Sequence, residues 1–97
     1  MADPVRIAKE MGISHAEFFR VLPRLLDGLE AETEGNRVRI REDGRSVEIV
    51  LGLEQVRSLG LVKLPYTNVE LVFHDFDEAR RQAFIAEFEL QFFRGGG

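Results

Sequence analysis

Residues 37–51 read RVRIREDGRSVEIVL and carry the clearest structural pattern in the chain. Polar and apolar residues alternate on both sides of Asp43-Gly44, the residue pair that a two-residue type I′ turn prefers. A loop of this length places Arg39 opposite Glu48 on one face and aligns the apolar residues on the other face. The stretch therefore predicts an antiparallel hairpin with one buried and one solvated face.

The segment that follows the hairpin is ambiguous. Residues 53–59 are compatible with a short helix after Gly52 or with an irregular crossing, and residues 60–64 are compatible with a short strand. Residues 65–68, Pro-Tyr-Thr-Asn, are typical of a turn because proline and asparagine favour turn conformations. We therefore predict no more than a short regular element here.

A strand and a long helix are predicted for the C-terminal part of the chain. Apolar and polar residues alternate over residues 69–74, which indicates a strand. An aspartate, Asp75 or Asp77, then provides the N-cap of a helix that reaches about Arg94.

The start of the chain is predicted to be helical. Asp3 is a suitable N-cap, and Pro4 stands at the first helical position, where its missing N–H costs nothing. This helix is expected to run to about Met11 and to stop at Gly12, the residue type most common just past a helix end.

A second helix is predicted from Ser14. Glu17 follows three residues later, which makes a capping box. Pro23 lies inside the helix and is expected to kink or split it, and Gly28 is expected to end it. Its apolar residues recur at helical spacing: Phe18, Val21, Leu22, Leu25 and Leu26.

These elements together predict the α+β class. The expected architecture is an antiparallel sheet of three or four strands with helices on one face, in the order α-α-β-β-(short element)-β-α. Residues 1–94 are expected to form a single domain, and residues 95–97, Gly-Gly-Gly, a flexible tail.

Composition narrows the function classes. The chain of 97 residues contains no cysteine, which excludes a disulfide framework, a thiolate zinc site, an iron–sulfur cluster and a cysteine nucleophile. No motif of a nucleophile, a phosphate loop or a metal-binding helix occurs, so we expect no enzyme, no cofactor and no metal. No apolar run is long enough to span a membrane, and the N-terminus lacks the features of a secretory signal, so a cytoplasmic location is expected.

Residues 4–27 resemble a helix-turn-helix DNA-binding motif. Ile7-Ala8, Met11-Gly12-Ile13, Phe18 and Val21 stand where that family has apolar residues, alanine and glycine. The resemblance implies a DNA-binding regulator. The net charge of −4 and the position of Pro23 in the recognition helix point the other way, and we expect no nucleic-acid partner.

The C-terminus, Gly95 to Gly97, resembles that of the ubiquitin-like sulfur carriers, which end in Gly-Gly. The resemblance implies activation at the terminal carboxylate. Those carriers enter the glycines from a strand, whereas a helix is predicted here, so a helix end with a loose tail is the alternative interpretation.

Two charged groups are candidates for chemistry. Arg37, Arg39 and Arg41 share one strand face and could meet phosphates, but we expect a solvated face because Glu48 lies opposite Arg39. A second group follows the strand, where we favour helix capping over metal binding: His74, Asp75, Asp77 and Glu78.

The last helix carries two apolar stripes. One is rich in alanine: Phe76, Ala79, Ala83, Ala86, Leu90 and Phe93. The other is mostly aromatic, and we expect it to lie outside the core as a partner interface, with burial of both stripes between the sheet and the N-terminal helices as the alternative: Phe84, Ile85, Phe88 and Phe92. The sequence thus predicts a small non-enzymatic protein-interaction or adaptor module that binds a protein partner or forms a homodimer. A helix-turn-helix regulator is the alternative, and a sulfur carrier is a third.

Overall fold

The computed structural model describes residues 3–95, in which five antiparallel strands form one sheet and two helices cover one of its faces. The strands lie in the order β1-β5-β4-β3-β2. The elements follow one another as β1 (Val5–Met11), α1 (His15–Leu26), β2 (Glu30–Glu34), β3 (Arg37–Glu42), β4 (Arg45–Leu59), β5 (Val62–His74) and α2 (Glu78–Gly95).

The β3–β4 hairpin has the predicted register. Arg39 lies opposite Glu48, and the apolar residues of the two strands face one another on the other side. Asp43 and Gly44 have φ angles of 48° and 77°, the positive values that a type I′ turn requires at both central positions. The prediction made from this stretch is confirmed.

The predicted fold class is wrong in its strand count and element order, since the sheet has five strands and the order is β-α-β-β-β-β-α. The first reason is that Val5–Met11 is a strand and not a helix. It pairs with β5 from Val5 opposite Phe73 to Met11 opposite Thr67. An isolated helix of this length is marginal, so pairing along the edge of β5 outweighs the local Asp-Pro signal.

The second reason is that the acidic connection before the hairpin is also a strand. In β2, Glu30, Glu32 and Glu34 lie opposite Arg41, Arg39 and Arg37 of β3. A glutamate-rich segment has low strand propensity, but opposite charges directly across an antiparallel pair stabilise it.

Helix α1 begins as predicted, because the Ser14 side chain accepts a hydrogen bond from the Glu17 N–H at 3.1 Å. It continues through Pro23 without splitting and ends at Leu26, where Asp27 takes the left-handed cap conformation. Its buried residues belong to the core on both sides of the proline, which holds the two parts in one helix: Phe18, Val21, Leu22 and Leu25.

Both helices pack on the same face of the sheet. The rings of Phe18 in α1 and Phe92 in α2 stack at a centroid distance of 4.8 Å, and Phe73 of β5 meets Phe84 edge-on. The strands contribute the apolar layer beneath them: Val38, Ile40, Val47, Ile49, Leu51, Val69, Leu71 and Phe73. The chain thus buries one sheet face and leaves the other open.

Candidate functional site

The two longest strands extend beyond the rest of the sheet. The pairing of β3 with β4 ends at Val50, and the pairing of β1 with β5 ends at Thr67. Residues 52–66 therefore form a two-stranded ribbon, which we call the arm, with a turn at Gly60 and Leu61. The arm accounts for the elongated shape of the chain, whose extents are 49 × 26 × 25 Å.

Most of the exposed apolar surface lies on the arm. Within residues 3–95, six of the nine exposed large hydrophobic residues fall in the arm. Leu61, at the turn, is 104% exposed and Leu53 is 85% exposed. The other four are about half exposed or slightly more: Val56, Leu59, Val62 and Leu64. Scattered exposed leucines are common on protein surfaces, but a concentration of this kind is unusual on the surface of a monomer.

The arm is fixed at its base. Thr67, which is fully buried, donates its hydroxyl to the Ile13 carbonyl at 2.9 Å. The His15 backbone N–H donates to a Glu54 carboxylate oxygen at 2.7 Å, and His15 Nε2 lies 2.7 Å from the Gly52 carbonyl. These contacts anchor both strands of the arm to the start of α1.

A bulge between Leu51 and Glu54 marks the point where the arm leaves the body of the sheet. A Cβ atom at Gly52 would lie 3.0 Å from the Asn68 carbonyl oxygen, so the close approach of the two strands requires glycine. Bulges bend a strand and increase its twist, which directs the ribbon away from the sheet.

Polar contacts cover the half of the arm next to the body. The Arg57 guanidinium lies 4.7 Å from the centroid of the Tyr66 ring and forms an ion pair with Glu10 of β1 at 2.9 Å. The Tyr66 hydroxyl donates to Gln55 at 2.9 Å. The outer half of the arm, around Leu59 and the turn, has no such cover.

The open face of the sheet carries a charged cluster around Glu48. Its side chain is only 13% exposed and accepts a hydrogen bond from His74 at 3.1 Å. Burial alone would raise the pKa of this carboxyl, but the hydrogen bond from His74 and the charges of Arg39 and Arg37 outweigh it and hold the pKa below its ordinary value.

This cluster is balanced in charge. Arg37 and Arg39 each lie 3.6 Å from Glu48, and Arg41 lies 3.2 Å from Glu32. The three arginine side chains are about half exposed, as the prediction of a solvated strand face requires. The arrangement stabilises the face and leaves no excess of positive charge there.

The aromatic stripe of the last helix is not at the surface. Phe88 and Phe92 are 1% and 2% exposed, and Phe84 and Ile85 are partly buried against the core. The prediction that these four residues lie outside the core is therefore wrong. The other stripe faces solvent at Leu90 and Phe93, because the larger rings fill the space between helix and sheet better than alanine does.

The remaining sequence candidates are accounted for in part. Residues 4–27, all described, do not form two helices, because Val5–Met11 is a strand. Asp77 accepts the Arg80 N–H at 2.7 Å and so caps α2, as predicted. No group of three potential metal ligands occurs within residues 3–95. Gly95 is the last residue of α2, whereas Gly96 and Gly97 lie outside the described residues.

The sequence does not predict the arm. Leu53, Val56 and Leu59 recur every three residues, which favours a helix, and Pro65 favours a turn. One signal was present: Gly60 stands between two segments, each able to form a strand, and it takes a φ of 62° at the turn.

Comparisons with known proteins return no match: no family model, no curated protein and no solved structure is significantly similar to this chain. Among the described residues, neither helix combines the length and the apolar character that crossing a bilayer requires. Function is therefore inferred from the geometry of the arm.

Proposed function

We propose that this chain is a non-enzymatic protein-interaction module that binds its partner through the arm. The observation that carries the proposal is the exposure of six large apolar side chains on one projecting ribbon. All six lie within residues 52–66, and large exposed apolar groups concentrated in this way are typical of protein-interaction surfaces.

The shape of the arm favours a macromolecular partner. Small-molecule sites are concave, whereas the arm is a free-standing ribbon that a partner must surround or extend. A partly apolar depression of the body has a volume of about 240 Å³ and lies at the opposite end of the helices, between Leu25, Phe76 and Phe84. Nothing in its lining connects it to the arm.

The layout of the arm resembles that of a binding surface. Four of the six exposed apolar residues lie toward its outer end and two, Leu53 and Val56, lie closer to the body, with the Arg57–Tyr66–Glu10 contacts beside them. An apolar centre with a polar rim is the usual anatomy of a protein interface. The groups on the arm are suited to binding and not to bond-making chemistry.

The proposal is tested by placing a photo-crosslinking amino acid at Leu61 in cells. The matched control carries the same group at Phe93, which is also exposed but lies on α2. We expect a discrete protein, identified by mass spectrometry, to be crosslinked from Leu61 and not from Phe93, and excess wild-type chain to compete with it.

A polar arm provides the second control. Replacing Leu59, Leu61 and Val62 with threonine or serine removes three of the six exposed apolar side chains, all at the outer end of the arm, and leaves the core intact. This variant should not compete in the crosslinking experiment. Equal crosslinking from Leu61 and Phe93, or equal competition by the polar variant, would show that the arm is not the binding surface.

A further inference from the structure

We infer that the occupant of the arm is a second copy of this chain, and that the two β4 strands pair antiparallel with Val56 opposite Val56 of the other copy. The inference rests on the proposed function and deepens it, because it names the partner. Two features of the arm support it: the free edge of β4 and the order of the residues along that strand.

The two edges of the arm differ. The outer edge of β5 contains Pro65, which has no N–H; inside a ladder, proline is tolerated where its nitrogen faces away from the paired strand. That edge therefore lacks a donor in the middle. The outer edge of β4 has no proline from Leu53 to Leu59 and keeps every donor and acceptor.

The body engages the backbone of β4 as far as Gly52, whose carbonyl lies 2.7 Å from His15 Nε2. The Leu51 N–H donates to the Asn36 carbonyl at 2.8 Å, and the Asn36 side chain donates to the Leu51 carbonyl at 2.6 Å. Since Val56 pairs with Pro65, alternation directs the backbone groups of Glu54, Val56 and Ser58 to the free edge. An edge of this kind is a template for another strand.

The residue order selects one register. With Val56 opposite its own copy, Leu53 faces Leu59 and Gln55 faces Arg57 of the other copy. A shift of one pair in one direction places Arg57 opposite Arg57, and a shift in the other places Leu53 opposite Arg57. The first shift is disfavoured because like charges directly opposite destabilise an antiparallel pair. The second is disfavoured because it separates Leu53 from Leu59. The register centred on Val56 is therefore preferred.

The same register explains the exposure of the turn. When residues 53–59 overlap in opposite directions, the turn at Gly60 and Leu61 reaches the base of the other arm, beside Asn36 of the other copy. The tip thus contacts the body of the second copy. Leu53 and Leu59 of the two copies would then cover one another, because they lie directly opposite across the new strand pair.

A two-fold contact of this type is closed. Each copy uses the same surface, so both arms are covered by one interface and no edge of β4 remains free for further chains. Closure distinguishes this pairing from edge-to-edge aggregation, which an exposed apolar ribbon otherwise invites.

The absence of cysteine from the chain allows a direct test. In the Val56→Cys variant the two thiols face each other across a strand pair, where Cα atoms are about 5.5 Å apart, a distance that a disulfide spans. In the Ser58→Cys control, the two Cα atoms lie four residues apart along the strands, roughly 13 Å, beyond disulfide reach.

We expect the wild type to have twice the monomer mass in light scattering and sedimentation. Mild oxidation should crosslink most of Val56→Cys and little of Ser58→Cys. The Val56→Asp variant, which places like charges opposite each other, should have the monomer mass. Both cysteine substitutions are at exposed positions, so the pair remains informative even if Val56→Asp fails to fold.

Two results would overturn the inference: a wild type that stays monomeric over a wide concentration range, or equal crosslinking of the two cysteine variants. Crosslinking from Leu61 to a different protein, with a monomeric wild type, would refute the second copy and leave the proposed function standing. If no protein is crosslinked from Leu61, both the second copy and the proposed function are refuted.

Discussion

The body of the sheet and the arm are built from the same two strands but differ in what holds them. Between Arg45 and Leu51, β4 lies between two strands and beneath two helices, and Val47, Ile49 and Leu51 are at most 1% exposed. Beyond Gly52 the same strand has one neighbour and no helix above it. One half contributes to the core, and the other half displays its apolar residues to solvent.

The apolar residues of β4 therefore contribute in two different ways along one strand. Burial of a leucine in the body stabilises the monomer, whereas an exposed leucine in the arm contributes only when a partner covers it. Stability measurements of matched substitutions in the two regions separate these two contributions.

The largest effect is expected at the centre of the core. Phe88→Ala should lower the free energy of unfolding by about 3–5 kcal/mol, because it removes a ring that is 1% exposed and packs on Phe92 at 4.7 Å. Phe93→Ala, on the same helix but 60% exposed, should change it by no more than about 0.5 kcal/mol. Urea denaturation of the two variants measures the difference, and similar losses would mean that α2 buries the other stripe.

The next prediction compares two leucines of β4. Leu51→Ala should lower the free energy of unfolding by about 2–5 kcal/mol, since Leu51 is 0% exposed. Leu59→Ala should change it by no more than about 0.5 kcal/mol in protein dilute enough to be monomeric, since Leu59 is 58% exposed. A large loss at Leu59 under these conditions would show that the arm packs within its own chain, and the distinction between the two regions would fail.

The difference between the regions also explains what the sequence could and could not predict. Residues 37–51 were predictable because the turn, the alternation and the cross-strand charges all specify the same hairpin. Residues 53–68 carry conflicting local signals, and Pro65 is compatible with a strand only because its strand has a free edge. The apolar residues of the arm recur at a helix-like spacing because they lie on both faces of a two-stranded ribbon. They do not form the buried stripe of a helix.

Two other errors have long-range causes. Val5–Met11 is a strand because β5 offers an edge more than 50 residues away in the chain, as the pairing of Val5 with Phe73 shows. The acidic β2 is a strand because three arginines lie opposite it. For the last helix, the sequence defined both stripes correctly but not which one the sheet would cover, since that depends on the volume available between the layers.

A smaller effect, dependent on pH, is expected for the charged cluster of the body. Glu48→Gln should lower the free energy of unfolding at pH 7 by about 1 kcal/mol, because its arginine and histidine partners are themselves partly exposed. The pKa of Glu48 is lowered in the folded state, so its contribution is complete above the pKa of an unfolded glutamate, about 4.3. The contribution is lost as the pH falls through the lower folded pKa.

Denaturation of the wild type and Glu48→Gln at several pH values checks this direction. The gap that is present at about pH 5 should close as the pH falls further, through the folded pKa of Glu48. Glu70→Gln, which removes an exposed ion pair with Arg6, provides the control and should give a smaller gap at pH 7. A gap that widens below about pH 5 would contradict the lowered pKa.

The smallest effect is expected with duplex DNA, for which neither region is suited. Arg37, Arg39 and Arg41 lie opposite the three glutamates of β2, and Glu48 lies among them, so the open face offers no uncompensated positive surface. The arm carries apolar residues at its tip, and the first helix of a helix-turn-helix is replaced by β1.

We therefore expect binding to duplex DNA to be no tighter than the non-specific range, roughly 10⁻⁴ to 10⁻⁶ M at physiological salt. A gel-shift titration at that salt measures it, with a basic control protein on the same duplex. Sequence-selective binding below a micromolar Kd would show that some surface of the body recognises DNA in spite of its balanced charges.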